Sequence, residues 1–306
     1  MVQLEHHAIR FLLLNIFVLF FSKGNSQVKY FLVDSNDNKY NINHFTIRTD
    51  SLYDISKEIE LFNIFPTISK KRFDGQQQDK DLILFSVLPD FKSNSNWEQI
   101  DLDSIKVGMI NFSELKRILM KSTFQIFNGK YPDKTKFFNE YKVIVYRDGK
   151  YLTPKNCLLQ FFAIRNRPTY FNSLFGTINI NEELVTVKNM LNFYISQRRK
   201  SDFPLESFLN DYSVFDRIRD RKEFLSKNLK IGNYDAYQFW TYTDWPEKHL
   251  PNIERGIDRF IFIPNLGIVG GSFDFYFAYH SNEIGLNWSK FLTNIYEEKV
   301  MTVEKI

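Results

Sequence analysis

The side chains best suited to chemistry crowd into residues 243–258, TDWPEKHLPNIERGID, which hold Asp244, Glu247, His249, Glu254, Arg255 and Asp258 around Pro246 and Pro251. A carboxylate near an imidazole can pass a proton at neutral pH, so Glu247 and His249 are a candidate acid–base pair, with Asp244 beside them. Downstream, GSFDFYFAYH alternates strictly enough to read as a strand. Phe273, Phe275, Phe277 and Tyr279 then share one face, and Ser272, Asp274, Tyr276 and His280 the other. Asp274 is the further catalytic candidate. It cannot pair with His280, because six residues along a strand span about 20 Å. Asp244, Glu247, His249 and Asp274 are the set a hydrolase would use, with His280 as the alternative to Asp274. Charged surface loops and half-solvated sheets make the same patterns with no activity at all.

A second chemistry is stacking. Trp240, Tyr242 and Trp245 follow one another in DAYQFWTYTDW, and alternation puts Trp240 and Tyr242 on one face with Gln238 and Asp244. Flat rings beside acceptors and amides suit a glycan or an extended peptide. These rings are the candidate ligand-binding residues, with core packing as the ordinary alternative in a chain of 32 Phe and 16 Tyr. No GxSxG, HExxH, phosphate-cradling GxxxxGK[ST] or strand-following GxGxxG occurs. Beyond residue 26 the histidines are His44, His249 and His280, none at i, i+3 or i+4 from another, so neither a metal nor a cofactor is expected. The lone Cys157, in PKNCLLQFF, has apolar neighbours and reads as an inert buried thiol.

The elements that must position these residues follow from periodicity. VKYFLVD and KYNINHFTI flank SNDN and read as a hairpin. SLYDISKEIELF carries Leu52, Ile55, Ile59 and Phe62 at helical spacing and ends before Pro66. DLILFSVL is a continuous apolar run, hence a buried strand. NFSELKRILMKS is a helix capped by Asn111 or Ser113, and YKVIVYRDGKYLTP a hairpin turning at Asp148-Gly149. CLLQFFAIR is a strand, NEELVTVKNMLNFYISQRRK a helix, and Pro204 opens another. DAYQFWTYTDW and two strands around Pro264–Gly267 follow. The last helix starts at Ser281 and buries Ile284, Trp288, Phe291, Leu292 and Ile295. The expected fold class is α+β, a mainly antiparallel sheet built from hairpins with about five helices packed on it.

Residues 11–21, FLLLNIFVLFF, follow Arg10 and precede SKGNSQ. The run is about half the roughly 20 apolar residues a membrane span needs, so residues 1–26 read as a secretory signal cleaved after Ser26. The destination is then a periplasm or the outside of the cell, with no transmembrane anchor left after cleavage. Residues 27–306 are expected to be a single α+β domain, with a possible subdivision near 127–138. The small excess of 40 Lys+Arg over 36 Asp+Glu gives no electrostatic case for nucleic acid. The functional expectation is an exported binding or interaction module for a glycan, peptide or protein. Its surface would be the aromatic-rich 235–280 region, and the alternative is a secreted hydrolase working from the 244–258 loop.

Overall fold

The computed structural model describes residues 27–34, 36–67, 80–118, 136–165, 176–198, 223–241 and 257–306. They form three stacked sheets, and a run such as Lys80–Leu88 explains why. In KDLILFSVL the residues of both alternating faces are apolar, so the strand is stable only with a layer on each side. Leu82, Leu84 and Leu88 join one hydrophobic core; Ile83, Phe85 and Val87 join another.

The middle sheet runs β11 (Thr177–Asn179), β10 (Asn156–Arg165), β4 (Lys80–Leu88), β3 (Glu58–Pro66) and β2 (Tyr40–Arg48), with β7 (Lys136–Phe138) also paired to β10. On one side lies a sheet of β5 (Trp97–Gln99), β9 (Lys150–Pro154), β8 (Tyr141–Arg147), β1 (Lys29–Leu32) and β6 (Met109–Ile110). On the other side lies an all-antiparallel sheet of β12 (Glu223–Ile231), β13 (Tyr234–Thr241), β14 (Arg259–Ile263), β15 (Gly267–Gly271) and β16 (Met301–Thr302). Antiparallel pairs dominate, but β1 runs parallel to both β6 and β8, and β10 parallel to β11. The sheets are therefore mixed, and the class is α+β.

Described helices are few and mostly short: α1 (Asp50–Tyr53), α2 (Leu102–Ile105), α3 (112–118), α4 (Val187–Arg198), α5 (Asp274–Tyr279), α6 (Ser281–Ile284) and α7 (Trp288–Tyr296). Asn111 caps α3 in a reciprocal box: its Oδ1 accepts from Glu114 N and Glu114 Oε2 accepts from Asn111 N, each at 3.0 Å. α7 buries Phe291 and Ile295, whereas Trp288 and Leu292 lie on its exposed side.

Several elements differ from the sequence reading. β1 and β2 do not form a hairpin; they lie in different sheets. Residues 51–62 are not one helix: Asp54 takes a left-handed φ of 57° after α1, and the chain continues into β3. Its apolar residues at 59, 61, 62 and 64 serve two faces of a doubly covered strand, which imitates helical spacing. The tract 272–280 is not a strand. Phe273, fully buried at φ 52°, turns the chain from β15 into α5. Residues 136–138 of the proposed boundary loop are β7, hydrogen-bonded into the middle sheet. The signal segment, residues 204–215 and the rest of the boundary loop lie outside the described residues.

The middle and third sheets are joined by polar side chains as well as apolar contact. Asn63, buried on β3, accepts from Ile268 N at 2.7 Å through Oδ1 and donates to Ile268 O at 2.9 Å through Nδ2. It acts as a one-residue strand against β15. A Cβ on Gly267 would fall 2.3 Å from Asn63 Oδ1, so glycine is required there.

Candidate functional site

Two polar clusters stand out. The first fills one end of the seam between the middle and third sheets, where β7, β10, β11, β12, β14 and α5 meet. Arg259 opens β14 and Asp274 opens α5; both are buried. Arg259 Nη1 lies 2.8 Å from Asp274 Oδ2, and Nη2 donates to Asp274 Oδ1 at 3.0 Å. Ser272 Oγ donates to Oδ2 at 3.1 Å, and Tyr53 Oη approaches Oδ1 at 3.0 Å while also donating to Ser272 O at 2.7 Å. Burial, reinforced by the Asp274 carboxylate, pushes the Tyr53 phenol well above its usual range.

Beside this pair the acids are less well served. Asp258, fully buried, accepts from Phe275 N at 3.3 Å through Oδ2, while its Oδ1 has no hydrogen-bond partner among the described residues. Burial, then repulsion from Asp274, drives its carboxyl well above the ordinary range, against the opposing pull of Arg259 and Lys136. Glu223, at the head of β12, is buried and accepts from Thr177 N on β11 at 3.0 Å. Burial pushes it up to about 8, although the Lys136 charge acts the other way. Gln160 on β10 accepts from Ile257 N at 3.2 Å and pairs in register with Lys136; its Nε2 has no partner among the described residues.

The second cluster converges on Glu60 where the middle sheet meets the β5–β9–β8 sheet. Its Oε2 sits 2.8 Å from His44 Nε2 and 2.7 Å from Arg147 Nη2, and its Oε1 accepts from Trp97 Nε1 at 2.5 Å. The Arg147 guanidinium lies 4.7 Å from the centre of the Trp97 ring, and His44 stacks on Phe62. Partial burial alone would raise this carboxyl; the bonds from His44, Arg147 and Trp97 outweigh that and bring it down to about 2. His44 is the member most open to solvent, and its imidazole is oriented by a carboxylate. It has the parts of a proton carrier, yet every group in the set also serves to staple four strands.

Of the residues singled out from sequence, Asp244, Glu247, His249, Tyr242 and Trp245 lie outside the described residues. The two that are described are not at a surface. Asp274 is the buried partner of Arg259 rather than a member of a half-solvated strand face. Trp240 is fully buried, stacked on Phe224 at 4.8 Å with its indole N–H bonded to Val185 O at 2.7 Å, so its ring is not offered to a ligand. His280 bonds Glu283 at 2.8 Å at the start of α6 and packs against Phe91, Tyr276 and Tyr279. Burial pushes the Cys157 thiol up to about 12, which leaves it protonated and unreactive at neutral pH.

Among the described residues no group of three or more His, Cys, Asp or Glu could hold a metal ion, and no helix is long and apolar enough to cross a membrane. Sequence reasoning missed Glu60, Lys136, Gln160 and Glu223. Each is a polar residue in or heading a strand, with nothing in its local sequence to set it apart, and only the layering buries it. Comparison with family models, with curated proteins and with solved structures finds no match for this chain.

Proposed function

We propose that the chain is an exported α+β protein, a single domain over residues 27–306, that works by binding a glycan, peptide or protein. The contact region is the 242–256 segment that follows β13, with Tyr242 and Trp245 as its stacking residues. One observation supports this reading: the residues flanking that segment, Thr241 and Ile257, are fastened close together where the third sheet meets the middle one. Thr241 N donates to Asp258 O at 2.8 Å, and Ile257 N donates to Gln160 on the middle sheet. A segment rich in rings and charges, returned to a rigid sheet end, is the usual way a scaffold presents a binding loop. The alternative, a hydrolase using Asp244, Glu247 and His249, has no comparable support now that Asp274 is paired in the interior.

The test is a thermal-shift screen of the purified protein against glycans and peptides. A ligand at 100 times its dissociation constant adds about 2.7 kcal/mol to stability. The binding reading expects that shift to vanish in Trp245→Ala or Tyr242→Ala and to survive Glu247→Ala. Turnover of the ligand, lost in Glu247→Ala or His249→Ala, would replace it with the hydrolase. Export is tested separately, by the intact mass of the secreted product, expected to begin at Gln27.

A further inference from the structure

Among the described residues each sheet ends in strands with one side unpaired, and all of these edges but one are guarded. β5, β6, β7, β11 and β16 are three residues long or shorter. β12 is nine residues long, but its register shifts between Leu225 and Lys227, and it carries Lys227 and Lys230. Short edges, bulges and lysines are the usual means of keeping one sheet from adding to another. β2 has none of them. Its nine residues, YNINHFTIR, pair with β3 in unbroken register from Tyr40 to Arg48, and no Asp, Glu, Lys, Arg or Pro stands between Asn41 and Ile47. The bonds at its two ends fix which groups face outward. Thr67 N donates to Lys39 O and Thr49 N to Lys57 O, each between residues directly opposite, so the odd-numbered residues of β2 bond to β3. The backbone N–H and C=O groups of Ile42, His44 and Thr46 therefore point away from β3, and none has a backbone partner among the described residues. Asn41, His44 and Thr46 are exposed along this edge.

We propose that β2 is a docking edge for a second copy of this chain, the two β2 strands pairing antiparallel about a two-fold axis and joining two middle sheets into one. Antiparallel pairing of a strand with itself is isologous, so each unpaired group on one copy meets its counterpart on the other. Charge selects this occupant. With the axis at His44, the stretches 41–47 lie opposite each other, Ile42 against Thr46 of the second copy, and no Asp, Glu, Lys or Arg is among them. His44 itself has Glu60 as its counter-ion at 2.8 Å. At each end the Lys39–Asp37 pair of one copy comes against the Arg48–Asp50 pair of the other, so that both signs meet both signs. Self-pairing of β12 would instead bring Lys227 and Lys230 of the two copies together. Assembly through β2 is independent of what the 242–256 segment binds.

The experiment is sedimentation velocity on the purified chain over a wide range of concentrations, with amide hydrogen exchange at both ends of that range. The mass is expected to double as concentration rises. Over the same range the amides of Ile42, His44 and Thr46 are expected to gain protection, while those of Asn43 and Phe45, already bonded to β3, change little. Thr46→Pro deletes one outward N–H and none of the bonds to β3, so it should fold as the wild type does and remain a single copy at every concentration. A wild type that stays single throughout overturns the proposal and leaves the edge to a strand of another protein. A dimer that persists in Thr46→Pro overturns it as well, since the contact then lies elsewhere. If Thr46→Pro does not fold, Thr46→Lys takes its place and is read in the same way, because an edge lysine blocks strand addition without touching the β3 ladder.

Discussion

Glu60 and Glu223 are the same residue type, each set between two sheets, and their surroundings shift the carboxyl in opposite directions from its ordinary range. Three donors surround Glu60: an imidazole, a guanidinium and an indole N–H. Glu223 receives a backbone N–H from Thr177 and lies in the field of a lysine, with a second glutamate nearby. Burial penalises the charged form in both places; the supply of donors decides which form wins. One sheet junction is thus held by an anion, and the other by an acid that resists becoming one. The signs follow. Glu60, lowered to about 2, contributes stability that is complete above its unfolded value near 4.5 and is lost as pH falls towards 2. Glu223, raised to about 8, contributes stability that is complete below 4.5 and is lost as pH rises through 8.

The contrast can be tested from both sides. The largest effect belongs to the acid-rich seam. Arg259→Ala leaves Asp274 buried without its bidentate partner and should destabilise the protein by about 3–5 kcal/mol in urea titrations. Asn63→Ala strips two hydrogen bonds from the Ile268 backbone and should remove about 2–3 kcal/mol, equally at pH 6 and pH 8 because neither partner titrates. At the other junction Glu60→Gln leaves Arg147 and His44 facing a neutral amide. A loss of about 2 kcal/mol is expected at pH 7, shrinking to nothing near pH 2, where the wild-type carboxyl is itself becoming neutral. A loss independent of pH would mean that Glu60 acts by shape alone. Smallest is Trp97→Phe, which deletes the indole donor and weakens the surface under Arg147; about 1 kcal/mol is expected.

Neither junction was legible in the sequence, although many strands were. DLILFSVL, YKVIVYRDGKYLTP and CLLQFFAIR announced β4, the β8–β9 hairpin and β10, because local alternation and an Asp-Gly turn are sufficient for them. The errors came where the deciding contact is distant. β1 pairs with strands far along the chain, so no turn marks its partners. β3 is covered on both faces, so its apolar residues fall at spacings that also fit a helix. In GSFDFYFAYH the aromatic residues alternate with Ser272, Asp274 and Tyr276 as in a strand, and the left-handed Phe273 that turns the chain into α5 has no sequence mark. The candidate rings and acids were ranked by local density, which led to Trp240 and Asp274. Density does not distinguish a side chain packed between layers from one offered to solvent. Glu60 and Glu223 owe their properties to what three sheets bring against them.

The placement of β1 between β6 and β8, parallel to each, sets a timetable. The first strand among the described residues has Tyr30 opposite Met109 and Leu32 opposite Ile144, so its slot does not exist until the chain has been extended past β8. At ordinary ribosomal speeds that wait is on the order of ten seconds, long against the microseconds in which a hairpin closes. Throughout it, Phe31 is an apolar side chain with no core to enter. That sheet is nevertheless complete once β9 is made, before any strand of the third sheet exists. Refolding from denaturant meets the same requirement without the ribosome's ordering, and closure of the β1 slot is its natural slow step.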